Sequence, residues 1–499
     1  MPDNCSAAEA SLKKRTANTV KWNLIDRVSS QLLYAVTGII LANLLSPDDF
    51  GLVGAVLVFQ AFASLLVDSG FASALIQRKQ PTRLDYSSVL WFNIAMSVAL
   101  YIILWFCAPF IAMLFGGDER LVDLSRVMFI SFVINGASIV QGNILLKKMD
   151  VRMAVVSNCI GLAAGAVAGI TLALYGYGPW AIVWQTLVFA VVRVSILWCV
   201  TRWKPVLKFS YSAFRTFVPV ASKMLLTSFL NTLFLNIYSF FIGNRVGLAS
   251  LGYYTQSDKW SKMSVTCITQ VLTGSFMPVL SAVQDEPERF ARITSKMNRS
   301  AGYVVFPATI GVAVLATPVF HTLFGTKWDP SIILFQLLLI RGIFTALCGL
   351  YNNYLLALGR TRDIVAMEIL RDTVALAALF ATMPFMAEST ASDPVYGLTI
   401  MMWGQLGASA LTWAVTLVIS VRAAGVRLIS WLGDLLPYFV ETLIAGAAAC
   451  AVIALVGDSA VVQLIAGALT AVAVYMGINA MLGSQIQRDT IAYLRGRLN

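Results

Sequence analysis

The sequence predicts an all-α integral membrane protein of about fourteen transmembrane helices, and three observations carry the prediction. Only 12% of the 499 residues are charged and the mean hydropathy is +0.77, whereas roughly one quarter of a soluble domain is charged. Apolar runs of about twenty residues recur from Trp22 to Leu482, each long enough to cross roughly 30 Å of hydrocarbon. The runs are continuous and lack the short alternating segments of a transmembrane barrel, so helices remain as the way to satisfy every backbone group in lipid.

Taken in order, the spans cover residues 22–44, 51–76, 87–115, 124–146, 153–176, 180–201, 213–243, 252–283, 300–324, 331–358, 364–386, 396–420, 436–456 and 461–482. Basic residues fill every second break, as the positive-inside bias requires. Lys13, Lys14, Arg15 and Lys21 precede the first span. Arg78, Lys79 and Arg83 follow the second, Lys147, Lys148 and Arg152 the fourth, and the series runs on to Arg488, Arg495 and Arg497. The opposite breaks hold only Arg120, Arg245 and Lys327 beside acids such as Asp48, Asp49, Asp118 and Glu119. Both termini therefore read as cytoplasmic, which requires an even number of spans. The polar start, residues 1–21, runs into a span too long for a cleavable signal segment. The net charge of +11 is spread among the breaks and forms no continuous basic surface, which argues against nucleic acid as a partner. Seven cysteines, with no CxxC pair, read as free thiols.

The two halves repeat one another. Asn43 and Gly51 recur as Asn244 and Gly252, at an offset of 201. Pro81-x-Arg83-Leu84 recurs as Pro287-x-Arg289-Phe290, PFIAMLFG from Pro109 as PVFHTLFG from Pro318, and NILLKKMDVR from Asn143 as NYLLALGRTR from Asn353. The matches are collinear and their offset drifts only to 210. Each repeat holds six spans, so the copies share one orientation and are expected as two parallel six-helix bundles facing a central cavity. The resulting division is a tail over 1–18, a first lobe over 19–205, a second over 206–425, two extra helices within 426–485 and a tail over 486–499.

The segment from Ile40 to Lys79, ILANLLSPDDFGLVGAVLVFQAFASLLVDSGFASALIQRK, resembles the first two helices of polysaccharide transporters, the Wzx-type flippases of lipopolysaccharide and exopolysaccharide assembly within the MATE-like superfamily. The resemblance implies alternating access between two lobes. It also implies a cargo, an undecaprenyl-pyrophosphate-linked oligosaccharide moved from the inner to the outer leaflet of a bacterial inner membrane. Polysaccharide polymerase and glycosyltransferases are the implied protein partners. The same fold leaves a lipid II flippase or a multidrug exporter as alternatives.

Ionisable residues inside spans are costly and so mark candidate sites. Gln60, Ser64 and Asp68 recur every four residues on the second span, Lys223, Thr227 and Asn231 on the seventh, and Tyr254, Asp258 and Lys262 on the eighth. A pyrophosphate needs fixed cations, and Arg27, Lys223, Lys259, Lys262 and Arg341 are the candidates to bind it. Against this stands the plainer reading that Asp258 neutralises Lys262 within one helix and Arg27 reaches to the interface. Arg193, Glu368, Arg371 and Asp372 lie near helix ends and read as interfacial. Asp68 and Asp258 are the candidates for coupling to an ion, with proton and sodium both open. No cofactor or metal is expected.

Enzyme readings find little support. Asp48 and Asp49 could be cast as acids of a glycan polymerase or ligase, but Ser46-Pro47-Asp48-Asp49 reads as helix punctuation, with Ser46 as N-cap and Pro47 at the first position. The sole histidine, His321, leaves triads and HExxH zinc sites without partners, and no GxxxxGK[ST] sequence cradles phosphate.

Overall fold

The computed structural model describes residues 3–68, 75, 81–208, 211–388, 394–494 and 496, with the side chains of 3–17, 20, 68, 211–221, 223, 270–279 and 493–494 left out. Within these residues the chain is helical and without strands, and it packs as two units, Met1–Gly252 and Tyr253–Asn499. Among the described residues, eleven helical spans are long and apolar enough to cross a membrane, one of them, Arg120–Lys147, being broken into short helices, or twelve if one bent pair also counts as a span. The chain is a multi-pass membrane protein.

In the first unit, α1 (Asp3–Leu44) leads through Ser46 into α2 (Pro47–Asp68). The start of α2 is fixed as its punctuation predicts. Ser46 Oγ donates to Asp49 Oδ2 at 2.7 Å, the Asp49 N–H donates back to Ser46 Oγ at 3.2 Å, and Asp48 is free to pair with Arg120 at 2.8 Å. Helix α3 (Arg83–Leu114) begins with a capping box between Thr82 and Asp85 and continues through Pro109 without a break.

The fourth predicted span is not one helix. It is three short ones, α4 (Arg120–Met128), α5 (Ile130–Gly136) and α6 (Ile139–Lys147). Serine hydroxyls compete for the backbone just before each break, Ser125 donating to the Val122 carbonyl and Ser138 to that of Asn135. Next come α7 (Arg152–Leu174) and α8 (Trp180–Thr201), which pack tightly because Gly161, Gly165 and Gly169 leave one face of α7 bare against Phe189 and Gln185. Helix α9 (Tyr211–Arg245) runs along α2 and α3.

Helix α10 (Leu248–Ser281) starts in the first unit and continues into the second. Its first turn crosses the first turn of α2 so closely that a Cβ on Gly51 would fall on the Leu248 carbonyl, and one on Gly252 on the Pro47 carbonyl.

In the second unit, α11 (Pro287–Val314) and α12 (Ala316–Leu323) meet at an angle of 60° where the sequence suggests one span. Pro318 has no N–H to give the Val314 carbonyl, and Gln336 Nε2 donates to the neighbouring Ala313 carbonyl at 2.9 Å. There follow α13 (Asp329–Ala357), α14 (Thr361–Thr382), α15 (Tyr396–Ala424), α16 (Leu428–Leu455), α17 (Ala460–Met481) and α18 (Gln485–Leu494). The core here is aromatic. Tyr351 stacks on Trp431 at 5.4 Å, and Tyr354, wholly buried, donates its hydroxyl to Asn298 Oδ1 at 3.1 Å.

The repeat is visible in packing as well as in letters. Phe59 meets Phe115 at 6.2 Å in the first unit, and the matching residues of the second copy, Trp260 and Phe324, meet at 5.1 Å. Of the fourteen expected spans, α10 and α14 are the two outside the apolar set. Helix α14 carries Arg362, Asp363, Glu368, Arg371 and Asp372, and α10 carries Asp258, Lys259 and Lys262 ahead of the undescribed side chains of 270–279.

Candidate functional site

Two of the predicted site residues, Asp68 and Lys223, have side chains outside the described residues. The other first-unit candidate, Arg27, is exposed on α1.

The second-unit candidates cluster on α10 and α13. Lys262 Nζ lies 2.6 Å from Asp258 Oδ2, one turn back on the same helix face. Asp258 is the more buried partner, its side chain 16% exposed against 49% for Lys262. Lys259 is half-buried, its ammonium 5.4 Å from the Trp260 ring centre, a cation–π contact worth about 0.5–2 kcal/mol. Arg341 is half-buried on α13. Its Nε is buried with no partner among the described residues, and Gly342 beside it packs against Val265, three residues past Lys262.

Close by, α13, α14 and α15 enclose a cavity of about 200 Å³ lined by Cys348, Asn352, Glu368 and Arg371. Its cation is already neutralised, since Arg371 contacts Glu368 at 2.6 Å and Asp372 at 2.9 Å.

The first unit holds a different kind of cavity. Some 480 Å³ open between α2, α5, α6 and α8, walled by Ser64, Asn135, Ser138, Asn143 and Arg193. Arg193 is half-buried against the Phe189 ring, and no carboxylate stands within ion-pair distance of it among the described residues. Asn135 Oδ1 and Asn143 Nδ2 are buried with no partner among the described residues. A cation in the middle of an apolar helix costs about 3 kcal/mol, so an Arg left unpaired beside open, hydrogen-bonding walls is suited to an anionic ligand.

Behind it, between α1 and α7, Asn158 Nδ2 donates to Asp26 Oδ1 at 2.9 Å and to Ser30 Oγ at 3.0 Å, while Ser29 Oγ meets Cys159 Sγ at 3.1 Å. Asp26 and Tyr34 lie within electrostatic reach of Arg193.

Sequence reasoning places Arg193 at an interface and passes over Asp26 and Asn158. The available signal was the spacing of Asp26 and Ser30 on one face of α1, but their partner lies 128 to 132 residues away. The punctuation residues are as expected, Asp49 capping through Ser46 and Asp48 pairing with Arg120, whereas the contact of His321 Nε2 with Asp329 Oδ1 at 2.8 Å is not foreseen in the sequence. Among the described residues, no three His, Cys, Asp or Glu side chains converge on a metal position.

With this geometry in view, comparison with known proteins is informative. A family model for polysaccharide biosynthesis proteins matches residues 40–333. The succinoglycan biosynthesis transport protein ExoT of Rhizobium meliloti is 26% identical over 348 residues, covering 70% of each chain. The teichuronic acid biosynthesis protein TuaB of Bacillus subtilis is 27% identical over 357 residues, which cover 70% of this chain and 73% of that one. In fold, the chain is similar to an inward-closed structure of the lipid II flippase MurJ, with TM-score 0.71 at 13% identity over 93% of this chain and 99% of that one.

Proposed function

The chain belongs to the polysaccharide biosynthesis protein family, and from that premise we propose that it is a flippase for lipid-linked oligosaccharide and not an enzyme. The cargo is an undecaprenyl-pyrophosphate-linked repeat unit of a surface polysaccharide, carried from the inner to the outer leaflet of a bacterial inner membrane. The observation that carries this reading is the 480 Å³ cavity with Arg193 on its wall, where no carboxylate among the described residues pairs with it. A guanidinium offers paired N–H donors to a phosphate, and Asn and Ser groups can hydrogen-bond sugar hydroxyls. A cation there disfavours cationic drugs as cargo.

Arg27, Lys223, Lys259, Lys262 and Arg341 are the further cations proposed to bind the pyrophosphate. Alternating access moves the head group while the polyprenyl chain stays in lipid. Asp68 and Asp258 take part in ion coupling, joined by Asp26, whose partners are already in place. Fourteen spans with both termini cytoplasmic complete the arrangement, beside a polymerase and glycosyltransferases.

Deleting the gene and identifying the intermediate that accumulates on the cytoplasmic leaflet tests the proposal. A lipid-linked oligosaccharide is the expected product of that experiment. Accumulation of lipid II instead would move the assignment to peptidoglycan precursors, and altered drug efflux with no lipid intermediate would replace it with drug export.

A further inference from the structure

Helices α16 and α17 lie beyond the duplicated spans, and the sequence reads them as apolar. Yet midway along α16 stands Glu441, 5% exposed, with Asp434 two turns earlier. The two carboxylates are treated very differently. Asp434 accepts from Arg299 Nε at 2.6 Å and from Ser295 Oγ at 2.5 Å, so its charge is matched.

Glu441 has no cation within ion-pair distance among the described residues, and one amide donates to it, Asn479 Nδ2 at 2.6 Å. That same Nδ2 donates to the Tyr475 carbonyl at 3.1 Å, which fixes the amide with its nitrogen toward two acceptors. Asn479 Oδ1 is left buried without a donor among the described residues. Near Glu441, among the described residues, stand the phenols Tyr303 from α11 and Tyr475 from α17, whose hydroxyl donates to the Tyr303 carbonyl at 3.0 Å, and Tyr438 of α16 packs on the Tyr303 ring. Helix α15, the remaining neighbour, has no acidic or basic residue before Arg422 in its last turn.

A buried carboxylate with one neutral donor among the described residues is an incomplete site, since an isolated buried charge costs several kcal/mol. One proton completes it. A carboxylic acid and a carboxamide are reciprocal: while Nδ2 donates to Oε2, an Oε1–H can donate to the orphaned Oδ1. Sodium fits poorly, because the amide presents its nitrogen and not its oxygen to the carboxylate.

We propose that Glu441, paired with Asn479, is a proton-binding site of the transport cycle. Water delivers the proton to Oε1 and receives it back, and the carboxyl is neutral while loaded. The role in coupling rests on the flippase reading; proton binding itself does not.

The test has one arm for each. Infrared spectra of the purified protein, titrated in sodium-free buffer, are expected to show a protonated-carboxyl C=O band near neutral pH that disappears on alkalinisation and is missing from Glu441→Gln. If Glu441→Gln fails to fold, Asn479→Leu keeps the carboxyl and should shift the pH at which the band disappears. An unchanged band in either variant, or no such band in the wild type, overturns the site. In proteoliposomes, proton-driven transport of the lipid-linked substrate should fall at least tenfold in Glu441→Gln while gradient-free exchange persists. A variant that still responds fully to the gradient overturns the coupling role. No transport by the wild type, with the infrared band intact, would count against the flippase reading and leave the proton site standing.

Discussion

Gly51 and Gly252 guard the same crossing from opposite sides, each pressed on the backbone carbonyl of the residue four places before the other. Gly51 faces Leu248 and Gly252 faces Pro47, so one repeat offset of 201 converts each contact into its partner. The duplicated glycines are thus conserved between the copies of this chain by steric need, because a backbone atom cannot swing aside as a side chain can. Gly51→Ala and Gly252→Ala should each lower stability by about 1–3 kcal/mol, and the pair by less than the sum, since both distort one crossing. Thermal melts of the purified variants in detergent check this.

Arg193 should matter more to transport than to folding. Arg193→Ala is expected to reduce surface polysaccharide at least tenfold in a complemented deletion strain, with Arg193→Lys keeping part of the activity because the charge remains but the planar fork does not. Immunoblots must show equal protein in the membrane.

Lys262→Ala and Arg341→Ala should abolish translocation while the proteins still insert and accumulate. The plainer role for Lys262, balancing Asp258, makes a different forecast. With Lys262 half-exposed, that pair is worth less than about 1 kcal/mol, so Asp258→Asn should leave the melting temperature nearly unchanged. Translocation at wild-type rate by both alanine variants would remove these residues from the site.

The Arg299–Asp434 pair should be asymmetric. Arg299 is half-exposed while the Asp434 side chain is 4% exposed, so Arg299→Leu strands a buried carboxylate and should cost about 3 kcal/mol. Asp434→Leu should cost less, and the double variant should recover most of the loss. A double-mutant cycle on thermal stability reads out the coupling.

Outside the membrane-spanning segments, Asp118 is held below the usual carboxylate range by hydrogen bonds from Arg120. Its folded pKa lies under its unfolded one, so its contribution is present above about pH 4 and vanishes as pH falls through the depressed value. Exposure keeps the contribution under about 1 kcal/mol. Asp118→Asn should flatten that part of the stability curve below about pH 4, measured as melting temperature against pH.

Much of the fold is legible in the sequence because a membrane demands long apolar runs and marked breaks, and both are local signals. The Asp258–Lys262 pair and the Ser46–Asp49 cap are legible for the same reason: partners three or four residues apart need no tertiary knowledge. Two equivalent prolines show the limit. Pro109 leaves α3 continuous while Pro318 follows a 60° bend, and no letter near either distinguishes them. Arg193 and Glu441 are hidden differently. What makes them candidates is which groups stand nearby and which do not, and Asn479 lies 38 residues from Glu441.

The elbow between α11 and α12 has a mechanical meaning. Gln336 of α13 clamps the Ala313 carbonyl at the bend, so straightening the rod would leave a carboxamide stranded in a low-dielectric interior, a penalty of about 1–3 kcal/mol. The joint is therefore biased toward its bend by about that amount, and losing the Gln336 amide would make straightening cheaper.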